Sequence, residues 1–325
     1  MRSFGFVLGS LLALMLAAAS AVYLYSGKAG ATPLLAAVFN VLVAEYNCTV
    51  TRDVAYGPGE RQKLDIYRPR ASEKGPQSDN GPIALFLYGG SWRQGERGQY
   101  EFVGRALARK GITTIIPDYR LYPDVKFPAF MDDAAQAYAW AARTLAKTAE
   151  GKPRPIVLIG HSAGAHMAAL LALDKSYLAA QGADVPAPAG LIGIAGPYSF
   201  DPTTWPSTKD VFADVKDSDT ARPVAFAKNG GPPTLLMHGL NDETTKISNT
   251  RDLARALKAA GTEVHTLEFA NLSHVSILLA IAKPLRGWAP VLQAMREFMI
   301  RYAGLPPEPP GKPSAAPKKP VLPSL

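Results

Sequence analysis

In the stretch Ile156-Val157-Leu158-Ile159-Gly160-His161-Ser162-Ala163-Gly164-Ala165-His166 an apolar run ends in Gly-x-Ser-x-Gly, and an alanine- and leucine-rich segment follows. That order reads as a strand, a sharp turn and a helix, with Ser162 at the apex as a candidate nucleophile. Bulky side chains at Gly160 or Gly164 would clash with the adjoining strand and helix. The helix expected from about Ala163 aims free N–H groups and the positive end of its dipole at negative charge developing beside Ser162. A serine hydroxyl is a weak nucleophile alone. It needs a base within hydrogen-bond reach, a carboxylate to orient that base, and donors for the oxyanion.

The chain holds five histidines. His161 and His166 flank Ser162 too locally to approach it from the opposite side, and His166, one helical turn on, reads as packing. His265 lies inside an expected strand, and His238 ends another, where it stabilises a turn. His274 follows the last strand and precedes the last helix, so it projects over the C-terminal edge of the sheet, where open parallel sheets bind ligands. It is the candidate base. Asp242, in the loop after Thr234 to His238, opens onto the same edge and is the candidate orienting acid, with Glu243 its competitor. Asp210, Asp214 and Asp217 read as solvated charges. Asp118 ends a strand too early in the chain for the order Ser, Asp, His, and reads as a local structural residue. For the oxyanion, Gly89-Gly90-Ser91-Trp92 follows the apolar strand Ile83 to Tyr88. The N–H groups of Gly90, Ser91 and Ala163 are the candidate donors.

The elements that must position these residues alternate along the chain. Val50 to Tyr56 and Lys63 to Tyr67 straddle Gly57-Pro58-Gly59 and read as a hairpin. Strands are expected at 83–88, 112–117, 156–159, 191–195, 234–238 and 263–269. Helices are expected at 100–110, 129–147, 163–173 and 247–260, with a closing helix between Val275 and Tyr302. This is an α/β pattern: a mostly parallel central sheet with an antiparallel N-terminal hairpin and helices on both faces. Pro197 to Pro232 is an insertion rich in Pro, Asp and Thr, of the length used for lids and binding loops.

Leu87-Tyr88-Gly89-Gly90-Ser91-Trp92, Pro117-Asp118-Tyr119-Arg120, Gly160-His161-Ser162-Ala163-Gly164, His238-Gly239 through Asp242, and His274, taken as an ordered set, resemble the α/β-hydrolase superfamily. Within it they resemble the carboxylesterase branch that includes hormone-sensitive-lipase-like esterases, kynurenine formamidases and prenylcysteine methylesterases. The resemblance runs over roughly residues 50 to 302. It implies an α/β-hydrolase fold and a cofactor-free serine esterase that acts through an acyl-enzyme on a small or medium acyl ester. Amide or formamide hydrolysis is a second enzymatic reading, because it uses the same intermediate. A non-catalytic binding protein on a hydrolase scaffold is the reading from another class. One position departs from the family pattern: Tyr88 stands where those enzymes begin a His-Gly-Gly motif, and its hydroxyl could support the oxyanion loop instead.

Composition bounds the rest. Of 325 residues, about 260 remain for one large α/β domain, spanning 50–304, once the two ends are set aside. Net charge is +8, but no basic cluster is interleaved with aromatics, which gives no support for nucleic-acid binding. A single cysteine, Cys48, cannot form an intrachain disulfide or a Cys-rich metal site. No His-Glu-x-x-His or comparable ligand spacing occurs, so no metal is expected. Phe4 to Tyr25 is an uncharged stretch of 22 residues between Arg2 and Lys28, long enough to span a bilayer. Residues 1–28 therefore read as a signal anchor or, given Ala19-Ser20-Ala21, a cleaved signal peptide. Arg2 keeps the N-terminus in the cytoplasm and the catalytic domain is exported: membrane-anchored, or periplasmic or secreted if residues 1–21 are removed. Residues 29–49 form a linker with an amphipathic helix. The Pro/Lys-rich segment 305–325 is expected to be disordered.

Overall fold

The computed structural model describes residue 40, residues 48–70 and residues 80–306. The expectations for Phe4 to Tyr25, for nearly all of the amphipathic stretch and for 307–325 lie outside these residues. Among the described residues, no helix is long and apolar enough to cross a membrane.

Among the described residues, eight strands form one sheet: β1 (Cys48–Ala55), β2 (Lys63–Pro69), β3 (Ile83–Leu87), β4 (Thr113–Pro117), β5 (Ile156–His161), β6 (Gly190–Ile194), β7 (Thr234–Gly239) and β8 (Val264–Phe269). Their order is β1-β2-β4-β3-β5-β6-β7-β8. β1 and β2 are antiparallel to each other and β2 to β4, and every other pairing is parallel. The expected hairpin and mostly parallel sheet are both present. Every residue of β3, β4, β5, β6 and β7 is buried. Both faces of the sheet are therefore covered, which is why these strands read as continuous apolar runs rather than alternating ones. β1, at the edge, is largely exposed.

The helices are α1 (Glu101–Ala108), α2 (Ala129–Thr144), α3 (Ala163–Leu173), α4 (Lys175–Ala179), α5 (Pro223–Phe226), α6 (Ser248–Ala259), α7 (Ser276–Leu279) and α8 (Val291–Ala303). α3 is buried along its whole length, as expected of a helix that is apolar all round. The closing helix expected between Val275 and Tyr302 is two helices, because Pro284 and the Gly287 to Pro290 segment interrupt it.

Two expectations shift. Leu305, assigned to the tail from the sequence, belongs to the domain: Gly304 adopts the left-handed conformation (φ 67°) and turns the chain so that the Leu305 N–H donates to the Met299 carbonyl at 3.2 Å. This C-terminal cap folds Leu305 into the core. The 197–232 insertion is also more firmly seated than a lid. Phe212 is fully buried against Trp92, Phe127 and Phe130, with ring centroids 5.0, 5.2 and 6.1 Å away. The Phe127 N–H donates to the Val211 carbonyl at 3.0 Å, and Lys126 pairs with Asp214 at 3.0 Å. The middle of the insertion belongs to the core, and its first dozen residues form a wall over the C-terminal edge of the sheet.

The parallel register gathers the chemistry. Leu87 of β3 lies beside Gly160 of β5, and His161 beside Ile194 of β6. The segments leaving β3, β5, β7 and β8 therefore emerge along one edge of the sheet. They carry Gly89 to Ser91, Ser162, Asp242 and His274 respectively.

Candidate active site

Ser162 sits between β5 and α3 at φ 54°, ψ −124°. A non-glycine residue in that region is strained and persists only where its surroundings hold it. Here its N–H donates to the Ile194 carbonyl at 2.9 Å, and its carbonyl accepts from the N–H groups of Ala165 and His166 at 2.9 and 3.1 Å. A Cβ on Gly160 would overlap the Gly164 carbonyl, and one on Gly164 would overlap the Leu87 carbonyl. Both glycines are required by close backbone approach, as the motif spacing implied.

His274 follows β8 and reaches back to this turn. The Ser162 hydroxyl donates to His274 Nε2 at 2.8 Å. His274 Nδ1–H donates to Asp242 Oδ2 at 2.7 Å. The structure thus brings together the three residues singled out from the sequence, separated by 112 and 32 positions along the chain. The second carboxylate oxygen, Asp242 Oδ1, accepts from the N–H groups of Thr244 and Thr245 at 2.9 and 2.8 Å. His238 Nε2 approaches Oδ2 at 3.3 Å. Burial alone would raise this carboxyl. The hydrogen bonds from His238, His274 and Thr245, with the positive charge available on His274, overcome it and hold the group below its ordinary value. Asp242 is therefore ionised and fixed, whereas Glu243, its competitor, is exposed and lines the pocket.

Gly90 (φ 131°), Ser91 (φ 54°) and Trp92 (φ 57°) turn the chain sharply after β3. A Cβ on Gly89 would lie 2.9 Å from the Ser162 Cβ, so this turn passes directly beside the serine. Among the described residues, the N–H groups of Gly90, Ser91 and Ala163 have no protein acceptor. That is the condition for binding an external oxygen.

Tyr88 supports the turn from behind. Its hydroxyl donates to Asp118 Oδ1 at 2.8 Å and accepts from Arg61 Nη2 at 3.0 Å. Its ring stacks between Tyr119 and Tyr100, with centroids 4.7 and 5.1 Å away. Burial, then the neighbouring Asp118 carboxylate, raises this hydroxyl far above its ordinary value, so it remains a donor. Asp118 also accepts from the Arg97 backbone N–H at 2.7 Å and from the Arg97 guanidinium. The residue read as local is the centre of a network that ties β4 to the Gly89 to Ser91 turn.

Two further roles go beyond what the sequence indicates. His161 was set aside because it cannot reach Ser162, but its Nε2–H donates to the His274 backbone carbonyl at 2.9 Å. It holds the loop that carries the imidazole. His238, expected to stabilise a turn, does so through Thr245 O and Thr250 Oγ1, each at 2.8 Å, and adds its contact to Asp242. An i, i+4 histidine–aspartate pair flanking a strand end is the one hint the sequence offered. His166 is buried packing, as read, and its Nε2–H donates to the Ala221 carbonyl at 2.7 Å. His265 bonds the Tyr302 hydroxyl at 2.7 Å, away from the site. Asp210 and Asp214 are exposed ion-pair partners of Arg93 and Lys126, and Asp217 caps a short turn by accepting from the Asp219 N–H.

Two of these histidines give the fold a sensitivity to acid. Burial first, then the adjacent His274, pushes His161 down to about 3 from 6.5, and burial pushes His166 down to about 4. Both are neutral in the folded chain, while the unfolded chain protonates them below its ordinary value near 6.5. Their contribution to stability is complete above that value and is lost as pH falls from it toward the folded values. The expected loss at pH 5 is about 2 kcal/mol for each histidine, measured as urea-unfolding free energy at pH 7 and pH 5. A pH-independent result over this interval would mean that neither imidazole is held neutral.

A cavity of about 320 Å³ opens beside Ser162 and Ala163. Its walls come from Ser91 and Trp92, from residues 197–208 of the insertion, and from residues 243–249 after β7.

A family model described as alpha/beta hydrolase fold matches residues 84–278. Over 258 residues the chain is 28% identical to a probable isoprenylcysteine alpha-carbonyl methylesterase of Oryza sativa subsp. japonica, covering 73% of this chain and 60% of that protein. Over 250 residues it is 28% identical to the esterase LipC of Mycobacterium tuberculosis, covering 69% of this chain and 59% of the relative. The chain thus spans about 60% of the length of these curated relatives. Among solved structures, the apo form of Thermogutta terrifontis esterase 2 superposes with a TM-score of 0.66 at 21% identity, covering 81% of this chain and 97% of that one.

Proposed function

The chain belongs to the alpha/beta hydrolase fold family, and from that premise we propose that it is a serine esterase cleaving carboxylic esters of small or medium acyl groups. The observation that carries this reading is the unbroken hydrogen-bond chain from Ser162 Oγ through the His274 imidazole to the buried Asp242 carboxylate, at 2.8 and 2.7 Å. His274 Nδ1 carries the proton facing Asp242, which leaves Nε2 unprotonated toward the serine.

Ser162 Oγ attacks the acyl carbon while its proton passes to His274 Nε2. Asp242 orients the imidazole and stabilises the imidazolium that forms. Charge on the former carbonyl oxygen is held by the N–H groups of Gly90, Ser91 and Ala163, where one such donor typically contributes about 3–4 kcal/mol to the transition state. Collapse breaks the ester C–O bond, and the departing alcohol takes the proton from His274. A water molecule then attacks the acyl-enzyme, His274 accepts its proton, and the acid is released with Ser162 restored.

The relatives' names support ester chemistry without fixing the alcohol. The apolar stretch Phe4 to Tyr25 supports a catalytic domain exported across a membrane and held there, or released by cleavage.

The test is labelling by a fluorophosphonate probe together with a panel of 4-nitrophenyl esters graded by acyl length. Labelling at Ser162 and turnover that falls beyond medium acyl chains are expected. A folded protein that neither labels nor turns over any ester is a binding scaffold, and that result would overturn the proposal. Turnover of a formyl-arylamine above that of the butyryl ester would reassign the reaction to amide cleavage.

A further inference from the structure

We infer that the alcohol portion of the substrate is polyhydroxylated: the site is built for a short-acyl ester of a sugar-type ring rather than of an alkyl or prenyl chain. The inference rests on the serine-esterase reading above and concerns what fills the cavity beside Ser162.

Size comes first. At about 320 Å³ the cavity stands at the lower limit of ligand pockets, roughly 300–1,000 Å³. That is room for one ring and a short acyl group. A prenyl or fatty chain needs a longer trough.

Chemistry decides further. The Thr245 residue is 5% exposed and lines the cavity. Its N–H and carbonyl are committed to Asp242 and His238, but no protein partner for its hydroxyl is found among the described residues. Ser207, Thr244 and Ser248, which are exposed, line the same cavity with hydroxyls that also have no protein partner among the described residues, and the exposed Lys246 on the wall makes no ion pair among them. An apolar chain would strip water from these groups and return nothing, because a buried hydroxyl without a partner is destabilising. A ring carrying several hydroxyls would satisfy them, since each hydroxyl donates one hydrogen bond and accepts others.

Trp205 supplies the complementary surface. It lies on the cavity wall yet is 52% exposed. Half of its surface is thus free for a ligand in the cavity, and an indole has a flat apolar face that suits the C–H face of a pyranose. A planar aromatic ring and a set of unpartnered hydroxyls on the walls of one cavity match a molecule that is apolar on its faces and polar around its edge.

The experiment compares two acetates of primary alcohols on the full chain: methyl 6-O-acetyl-glucopyranoside and cyclohexylmethyl acetate. They share the acyl group and the six-membered ring and differ chiefly in hydroxyls, with 4-nitrophenyl acetate run beside them. The sugar ester is expected to be preferred at least tenfold in kcat/KM, mostly through KM. Thr245→Val and Trp205→Ala should each lower that preference at least fivefold. Equal or reversed preference, with 4-nitrophenyl acetate turned over, would overturn the inference and leave the esterase reading intact. A preference unmoved by both substitutions would overturn it too, by placing recognition elsewhere. No turnover of any of the three esters would remove the reading on which it rests.

Discussion

Ser162→Ala is expected to lose roughly 10⁵- to 10⁶-fold in kcat on 4-nitrophenyl acetate while remaining folded. The loss is large because, in the proposed mechanism, this hydroxyl forms the covalent bond. His274 and the oxyanion donors can then assist only a direct attack by water. The fold survives because the turn is held by main-chain bonds the substitution leaves alone: the Ser162 N–H to Ile194, and the Ser162 carbonyl from Ala165 and His166. Alanine meets the same positive φ of 54° that serine already tolerates. The unfolding free energy should fall by no more than about 1 kcal/mol, because the substitution creates no cavity and removes a single part-buried hydrogen bond, the one to His274. Steady-state kinetics and urea denaturation on the same preparation check both halves. Residual turnover within a hundredfold of the parent would place the nucleophile elsewhere.

The serine was legible in the sequence because everything that defines it is local. Strand, turn, nucleophile and helix occupy consecutive positions, and Gly160 and Gly164 are dictated by overlaps with their immediate structural neighbours. His274 and Asp242 were legible through topology: in a parallel sheet the loop after each strand opens on the same edge, so a residue's place after β7 or β8 predicts which edge it reaches. What stayed hidden depends on pairings that neither order nor period encodes. The reach of His161 to the carbonyl of a residue 113 positions away leaves no mark on the residues around it. The network behind Tyr88 joins Arg61, Arg97 and Asp118 from three segments, and each alone reads as an ordinary surface or strand-end charge. Phe212 is a single aromatic in a polar stretch, so its burial could not be inferred from any apolar repeat.

That hidden network and the Ser162–His274–Asp242 chain share a design. Each pairs a buried carboxylate with donors from separate elements, and each carboxylate stands at the end of a strand on the functional edge. Asp118 immobilises Tyr88 and, through it, the turn bearing the candidate oxyanion donors. Asp242 immobilises His274. In the proposed mechanism Asp242 must also respond to charge appearing on its partner during the reaction, whereas Asp118 faces permanent guanidinium groups.

Asp242→Asn tests that response, with an expected fall of about 10⁴-fold in kcat. The carboxylate accepts from two backbone N–H groups on Oδ1 and from His274, with His238 close by, on Oδ2. An asparagine has one acceptor oxygen. If that oxygen stays with the turn, the amide NH₂ faces His274 Nδ1, which must then give up its proton and become the acceptor. The imidazole proton moves to Nε2, where it points at the serine that needs a base. If the oxygen turns to His274 instead, the NH₂ confronts the N–H groups of Thr244 and Thr245, and the turn loses charge-assisted bonds, each typically contributing about 2 kcal/mol. Either arrangement costs activity, and the second also lowers stability, so kcat and the unfolding free energy measured together show which has been adopted. Glu243→Gln, one residue along and exposed in the pocket, should change kcat by less than tenfold. If the two variants exchanged these effects, Glu243 would be the residue that orients the base, and the 2.7 Å contact between His274 and Asp242 would have no part in turnover.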